Sequence, residues 1–241
     1  MNIFDSWLVN TYIAHRGLHD EEAPENSIAA FKKAMDKFYA IELDVHLLAD
    51  GTVAVFHDDA LARMTGKDGF IKLLKKEDLK NYKLLGTKEC IPTFEEVLKL
   101  VNGSVPILVE IKNTDKVGDL EKATVKLLKN YKGEYAVHSF NPYTVGWLKD
   151  NAPEIIRGQL GGYLKKDKLS FWKKIILKRM TLNRHTQPHF ISYEAGCLPN
   201  KFVKKYKQLP VLAWTVRSQQ EYMHVVKFCD NIIFEKFEPK I

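Results

Sequence analysis

A rhythm constrains this chain more than any single motif does. Short apolar runs bounded by turn residues recur at 11–14, 40–45, 52–56, 105–111, 135–137, 155–160, 189–193, 211–216 and 231–234. Most are rich in β-branched residues and do not alternate strictly, as strands covered on both faces should read. Between them lie helical patterns. Ile28, Phe31, Met35 and Phe38 recur at helical spacing behind an N-cap at Asn26 or Ser27. Phe94, Val97, Leu98 and Val101 do so after Pro92-Thr93, and Tyr222, Val225, Val226 and Cys229 near the end. Strands alternating with helices predict parallel βα units. One run is out of series. Asp50-Gly51, between 47–49 and 52–56, is a two-residue hairpin signal, and so short a loop joins antiparallel strands. Setting that hairpin arm aside leaves eight runs. Eight parallel strands with helical crossovers in 241 residues predict an α/β fold, the (β/α)8 TIM barrel.

The hairpin carries a geometric expectation. With Asp50 and Gly51 as the loop, Ala49 opposes Thr52 and Asp44 opposes His57, so both share a face with Glu42. The stretch from Asp59 to Ile91 is less periodic. Residues 46–91 therefore read as the hairpin and a small insertion, after the second strand, over the barrel mouth. No low-complexity tract or Pro/Gly/Ser linker interrupts the chain, so 1–241 reads as one domain, long enough to bury a large core.

Composition narrows the compartment and the partners. No stretch approaches the length of a membrane-spanning apolar run, and Met1–Leu8 lacks the basic and apolar parts of a signal peptide. Three well-separated cysteines, Cys90, Cys197 and Cys229, argue against a disulfide framework or a zinc site and favour a cytoplasmic location. The net charge of +7 is concentrated at 165–184, where eight Lys and Arg face one acid, Asp167. Eight minus one is seven, so the rest of the chain sums to neutral and no nucleic-acid partner is expected. Within that segment Leu169, Trp172, Ile176 and Met180 form an apolar stripe. Two readings stay open: a barrel helix with solvated lysines, or a helix that holds the protein peripherally on anionic membrane.

Polar residues at the ends of the apolar runs carry the chemistry. Glu42, Asp44 and Glu110 fall at predicted C-terminal strand ends, where barrel active sites are built. Oxygen ligands of this kind suit one hard divalent cation, Mg²⁺ or Ca²⁺ with Mn²⁺ also compatible, rather than zinc. Any one acid alone reads as a surface residue. Glu42 and Asp44, however, interleave with Ile41, Leu43 and Val45 in a strand that should be buried, where acids need partners. His15 and His57 are candidates for general acid and base, with the order of roles open, because imidazole titrates near working pH. The other six histidines read as ordinary core or surface residues. Arg16 and Lys112 offer positive charge to a phosphoryl group, arginine through paired hydrogen bonds and lysine as a point charge. Glu110-Ile-Lys112 alone reads equally as an ion pair. Trp214 either caps the barrel core or stacks on the non-reacting part of a substrate. The glycine-rich 158–162 lacks the spacing of a dinucleotide loop.

In order along the chain stand His15-Arg16-Gly17, Pro24-Glu25-Asn26-Ser27 with Ala30-Phe31, Ile41-Glu-Leu-Asp-Val45, Asp50-Gly51 and Val55-Phe-His-Asp58. Leu61-Ala-Arg63 with Thr65-Gly66 follows, then Ile91-Pro-Thr-Phe-Glu-Glu-Val-Leu98, Glu110-Ile-Lys112, Ser139-Phe140 and Trp214-Thr-Val216. This series resembles the glycerophosphodiester phosphodiesterases over most of the chain. The resemblance implies a metal-bearing (β/α)8 barrel that hydrolyses glycerophosphodiesters to glycerol 3-phosphate and an alcohol, within glycerol and lipid metabolism. It implies His15 and His57 as the acid/base pair, Glu42, Asp44 and Glu110 as metal ligands, and Arg16 and Lys112 as phosphate contacts. It further implies that the substrate's own glycerol hydroxyl attacks first, giving a cyclic phosphate that water opens.

Three departures from the family's usual pattern bear on the alcohol-side pocket. Phe234-Glu235 stands before Pro239 where a Thr-Asp pair is usual, Arg217 stands where Asn often follows Trp-Thr-Val, and Phe38-Tyr-Ala-Ile41 lacks a usual glycine. Two rival functions follow. One is a lysophospholipase D acting on lysophospholipids at a membrane surface, supported by the basic segment and the altered C-terminal pattern. The other is a non-catalytic phosphate-binding protein on the same fold, against which stands the full set of two histidines, three acids and two cations.

Overall fold

Each expected apolar run is a strand in the computed structural model, which describes residues 2–113, 116–165 and 170–240. The strands are Ile13–Ala14 (β1), Ala40–Leu47 (β2), Val53–Val55 (β3), Ile107–Ile111 (β4), Tyr135–Ser139 (β5), Arg157–Gly161 (β6), Phe190–Glu194 (β7), Val211–Val216 (β8) and Asn231–Phe234 (β9). Their order is β1-β9-β8-β7-β6-β5-β4-β2-β3, and β1 also pairs with β2. Setting aside β3, which runs antiparallel to β2, the eight remaining strands close into a (β/α)8 barrel. Ala14–Tyr135 forms one compact unit, and the chain on either side of it forms a second.

Local chemistry sets the helix starts. Ser27 is the N-cap of the helix Ile28–Asp36, its hydroxyl accepting the Ala30 N–H at 3.1 Å. Thr93 and Glu96 form a reciprocal capping box ahead of Phe94–Val101, and Phe94, Val97, Leu98 and Val101 are all buried, as their spacing predicts. Two stripes end earlier than expected. Phe38 lies beyond its helix with φ +56° and is 79% exposed, because the chain must reverse into β2 within three residues. Val226 follows the end of Gln219–Val225 and is likewise exposed.

The hairpin register differs from the expected one by a single residue. Val45 pairs with Val55, His46 with Ala54 and Leu47 with Val53. Asp44 therefore stands across from Phe56, whose N–H donates to the Asp44 carbonyl at 3.0 Å, and not from His57. The cause is the loop. Leu48 N–H donates to the Thr52 carbonyl at 2.8 Å, so Ala49, Asp50 and Gly51 form a three-residue turn with Gly51 left-handed at φ +82°. The Asp50 carboxylate braces it by accepting the Thr52 and Lys76 N–H groups. A slip of one residue would send His57 to the opposite face if the ladder continued, but β3 stops at Val55 and the chain leaves the sheet.

The following segment owes its weak periodicity to short turns and single helical turns around a core of its own, built on Phe56, Leu61, Met64, Ile71, Leu79 and Leu84. In the other unit, the helix Phe171–Arg179 buries Leu177, whose carbonyl lies over Gly161 of β6, and Met180 is buried just past its end. Trp172 is 72% exposed, so the apolar stripe expected through it does not form. The Leu169 end of that stripe, with Lys166, Asp167 and Lys168, lies outside the described residues. Cys90, Cys197 and Cys229 are free thiols. Among the described residues no helix is long and apolar enough to cross a membrane.

Candidate active site

Seven of the eight candidate residues lie in the unit Ala14–Tyr135. β1 is only two residues long, and the chain turns sharply after it. Arg16 adopts φ +57° and Gly17 φ +79°. A Cβ on Gly17 would approach the Ala30 backbone to 2.9 Å, so position 17 takes only glycine. The turn is fixed from both sides: Arg16 N–H donates to Glu42 Oε2 at 2.9 Å, and Asn26 N–H donates to the Arg16 carbonyl at 2.9 Å. It leaves His15 Nε2 4.0 Å from Glu42 Oε2.

The three acids are buried. Glu42 and Asp44 are the third and fifth residues of the eight-residue β2, not its last as the sequence suggested, because β2 runs past the barrel rim into the hairpin. Asp44 is level with Glu110 in the parallel β2–β4 register. Carboxylate oxygens of Glu42 and Glu110 lie within 4.8 Å of each other. Burial, with the charges of Asp44 and Glu110 added, pushes the Glu42 carboxyl well above the usual range. Asp44 is turned toward cations instead. Its Oδ2 accepts from Asn26 Nδ2 at 2.9 Å and lies 3.3 Å from Arg16 Nε, while Oδ1 lies 3.5 Å from Lys112 Nζ. Burial alone would raise Asp44, but Lys112, His57, Arg16 and His15 outweigh it and hold the carboxyl below its ordinary value. Lys112 is 2.9 Å from Glu110, and the two acids overcome its burial and keep it charged. His57 thus comes near Asp44 electrostatically without the cross-strand pairing expected of it.

The donor set fits a hard divalent cation. Glu42 and Glu110 offer oxygens within 4.8 Å of each other, and crowding of buried carboxylates of the kind that lifts Glu42 is what a bound cation relieves, while the Asp44 oxygens face Arg16, Lys112 and Asn26.

A chain of ion pairs continues from this centre. His57 Nδ1 contacts Asp58 Oδ1 at 2.5 Å. Arg63 donates to both Asp58 oxygens, at 2.5 and 3.0 Å, and to both Glu25 oxygens, at 2.9 and 2.7 Å. Glu25 Oε1 in turn accepts from Arg16 Nη1 at 2.6 Å. Burial opposes ionisation of Glu25, yet Arg63 and Arg16 bring its carboxyl down to about 2. A carboxylate on Nδ1 fixes the ring and leaves Nε2 for chemistry. His46, read as ordinary, lies with Nε2 3.1 Å from the His57 carbonyl. Sequence reasoning assigned no site role to Glu25, Asn26, Asp58 or Arg63. The adjacency of Asp58 to His57 was a usable signal, whereas nothing local links Arg63 to Glu25.

Trp214 belongs to the other unit, on β8, with Phe140 packed edge-on at 5.3 Å. Its indole N–H is buried without a hydrogen-bond partner among the described residues. Two of the unusual positions prove to be one feature: Arg217 Nε donates to Glu235 Oε1 at 2.7 Å.

Strand order and strand-end chemistry place the protein among the (β/α)8-barrel enzymes. Residues 15–231 match the sequence model of the glycerophosphoryl diester phosphodiesterase family, and the chain belongs to that family. A glycerophosphodiester phosphodiesterase of Caldanaerobacter subterraneus subsp. tengcongensis is 38% identical over 160 residues, which are 61% of this chain and 65% of that protein. YhdW of Bacillus subtilis is 32% identical over 226 residues, 86% of either chain. Among solved structures, an Oleispira antarctica phosphodiesterase in complex with the product sn-glycerol-3-phosphate aligns with a TM-score of 0.78 at 25% identity, over 93% of this chain and 92% of that one.

Proposed function

We propose that this protein, as a single barrel domain over 1–241, hydrolyses glycerophosphodiesters to glycerol 3-phosphate and an alcohol. The observation that carries the reading is the buried group of Glu42, Asp44 and Glu110 with Arg16 and Lys112 against it and both His15 and His57 beside it. A divalent cation on the three acids, Mg²⁺ or Ca²⁺ with Mn²⁺ as an alternative, would supply charge that offsets the phosphodiester's own. Arg16 and Lys112 bind the non-bridging oxygens, each held in place by Asp44. One histidine takes the proton from the attacking hydroxyl, and the other returns a proton to the departing alcohol. An attacking hydroxyl within the substrate is already positioned, which lowers the entropic barrier and gives a cyclic phosphate for water to open.

Turnover of glycerophosphocholine tests this. Activity should vanish with chelator and return with added divalent metal. Phosphate binding without turnover under every metal condition would favour a non-catalytic role instead. The lysophospholipase D reading rests on the basic segment and the altered C-terminal pattern, to which the exposed Trp172 adds; faster turnover of lysophosphatidylcholine than of glycerophosphocholine would favour it.

A further inference from the structure

Residues 170–209 contain nine Lys and Arg side chains and one acid, Glu194. That acid is already engaged, its Oε2 accepting the Tyr163 and Leu164 N–H groups at 2.8 and 3.1 Å. Four of the cations lie on the helix Phe171–Arg179 and four at 201–207, more than twenty residues later. Tertiary contacts make them neighbours. The Tyr206 hydroxyl donates to the Met180 carbonyl at 3.0 Å, and Arg179 and Lys201 both sit over the Phe202 ring, at 5.8 and 5.5 Å. The basic helix Phe171–Arg179 and the basic stretch 201–207 therefore adjoin one another. At the start of the helix, Phe171 and Trp172 stand 69% and 72% exposed, edge-to-face at 5.6 Å.

We propose that this face docks the protein onto the surface of an anionic phospholipid bilayer. Two adjacent large aromatic rings projecting into water gain by entering the interfacial region, the medium that Trp favours. The cations on the helix and at 201–207 are drawn to acidic head groups, and no unengaged acid at 170–209 opposes them. A nucleic-acid duplex bound through its phosphates would use the same charge but gives an aromatic pair at the tip of a helix no role. The inference does not depend on the proposed reaction, since none of these residues belongs to the candidate active site.

Flotation of the full-length protein with vesicles tests it, comparing phosphatidylcholine alone with phosphatidylcholine plus phosphatidylglycerol. Binding should require the anionic lipid and weaken with salt. Lys204→Ala/Lys205→Ala should weaken it by roughly fivefold per charge removed. Phe171→Ala/Trp172→Ala should weaken it by about tenfold or more. Both double variants alter exposed side chains and should retain the wild-type melting temperature and wild-type turnover of glycerophosphocholine in solution. No binding to anionic vesicles at low salt would overturn the proposal. So would binding that both variants leave intact, or tighter binding to a short DNA duplex that is indifferent to the aromatic pair.

Discussion

Arg63→Ala is the sharpest test of how the site is held together. Arg63 sits outside the acid cluster, yet its guanidinium spans Asp58, which contacts His57, and Glu25, which contacts Arg16. Charge-assisted hydrogen bonds contribute about 1.5–3 kcal/mol each when shielded. The Arg63 side chain is 47% exposed, so water replaces much of what is lost and the folding cost should be only about 1 kcal/mol. In a domain of this size that lowers Tm by about 2–4 °C. The catalytic cost should be larger. Asp58 loses two donors and no longer fixes the His57 ring, while Glu25 is freed to pull Arg16 elsewhere. A misplacement of about 1 Å costs up to roughly 100-fold, so kcat/KM on glycerophosphocholine should fall by about 10- to 100-fold. Arg63→Lys should recover the Tm but little of the rate, because a point charge cannot span two carboxylates. Asp58→Asn should then act mainly on kcat and Glu25→Gln mainly on KM, separating the two ends of the chain of ion pairs. Wild-type kcat/KM in Arg63→Ala, alongside the small loss of Tm, would refute the coupling and leave Arg63 a surface brace.

Other expectations concern single positions. His15→Ala and His57→Ala should each cut turnover by about 10²–10⁴-fold with the melting curve preserved; unchanged turnover in either would remove that histidine from the acid/base pair. Phe38→Gly should raise Tm by a few degrees, since it relieves a left-handed φ of +56° at an exposed side chain, worth about 1 kcal/mol net of the flexibility glycine adds to the unfolded chain; a lower Tm would show that the ring packs usefully. The Glu25 carboxyl sits at about 2 against an ordinary 4.5, so its contribution to stability is full above pH 4.5 and is lost as pH falls toward 2. Denaturant titrations across that window should show a shallower acid loss in Glu25→Gln than in wild type.

The barrel was legible because its signals are local. Each strand announces itself as a short apolar run, and helix starts such as Ser27 and Thr93 cap within four residues of their own position. The candidate acids were legible for a related reason: a carboxylate between Ile41, Leu43 and Val45 contradicts its surroundings, and such contradictions collect at functional sites. What local pattern did not carry was anything settled by hydrogen bonds across distance. The hairpin slipped by one residue because Leu48 and Thr52, not Ala49 and Thr52, close the loop. Trp172 followed the helical period of a buried stripe but faces water, because the helix seats on Gly161 through Leu177. Arg63 meets Glu25, and Arg217 meets Glu235, across separations of 38 and 18 residues. Sequence by itself determined which segments form strands and which polar groups stand at odds with them, since both depend on neighbours a few residues away. Only tertiary structure decided which charges pair and which rings stay in water, because those outcomes depend on chain reversals that bring remote segments within about 3 Å, the reach of a hydrogen bond.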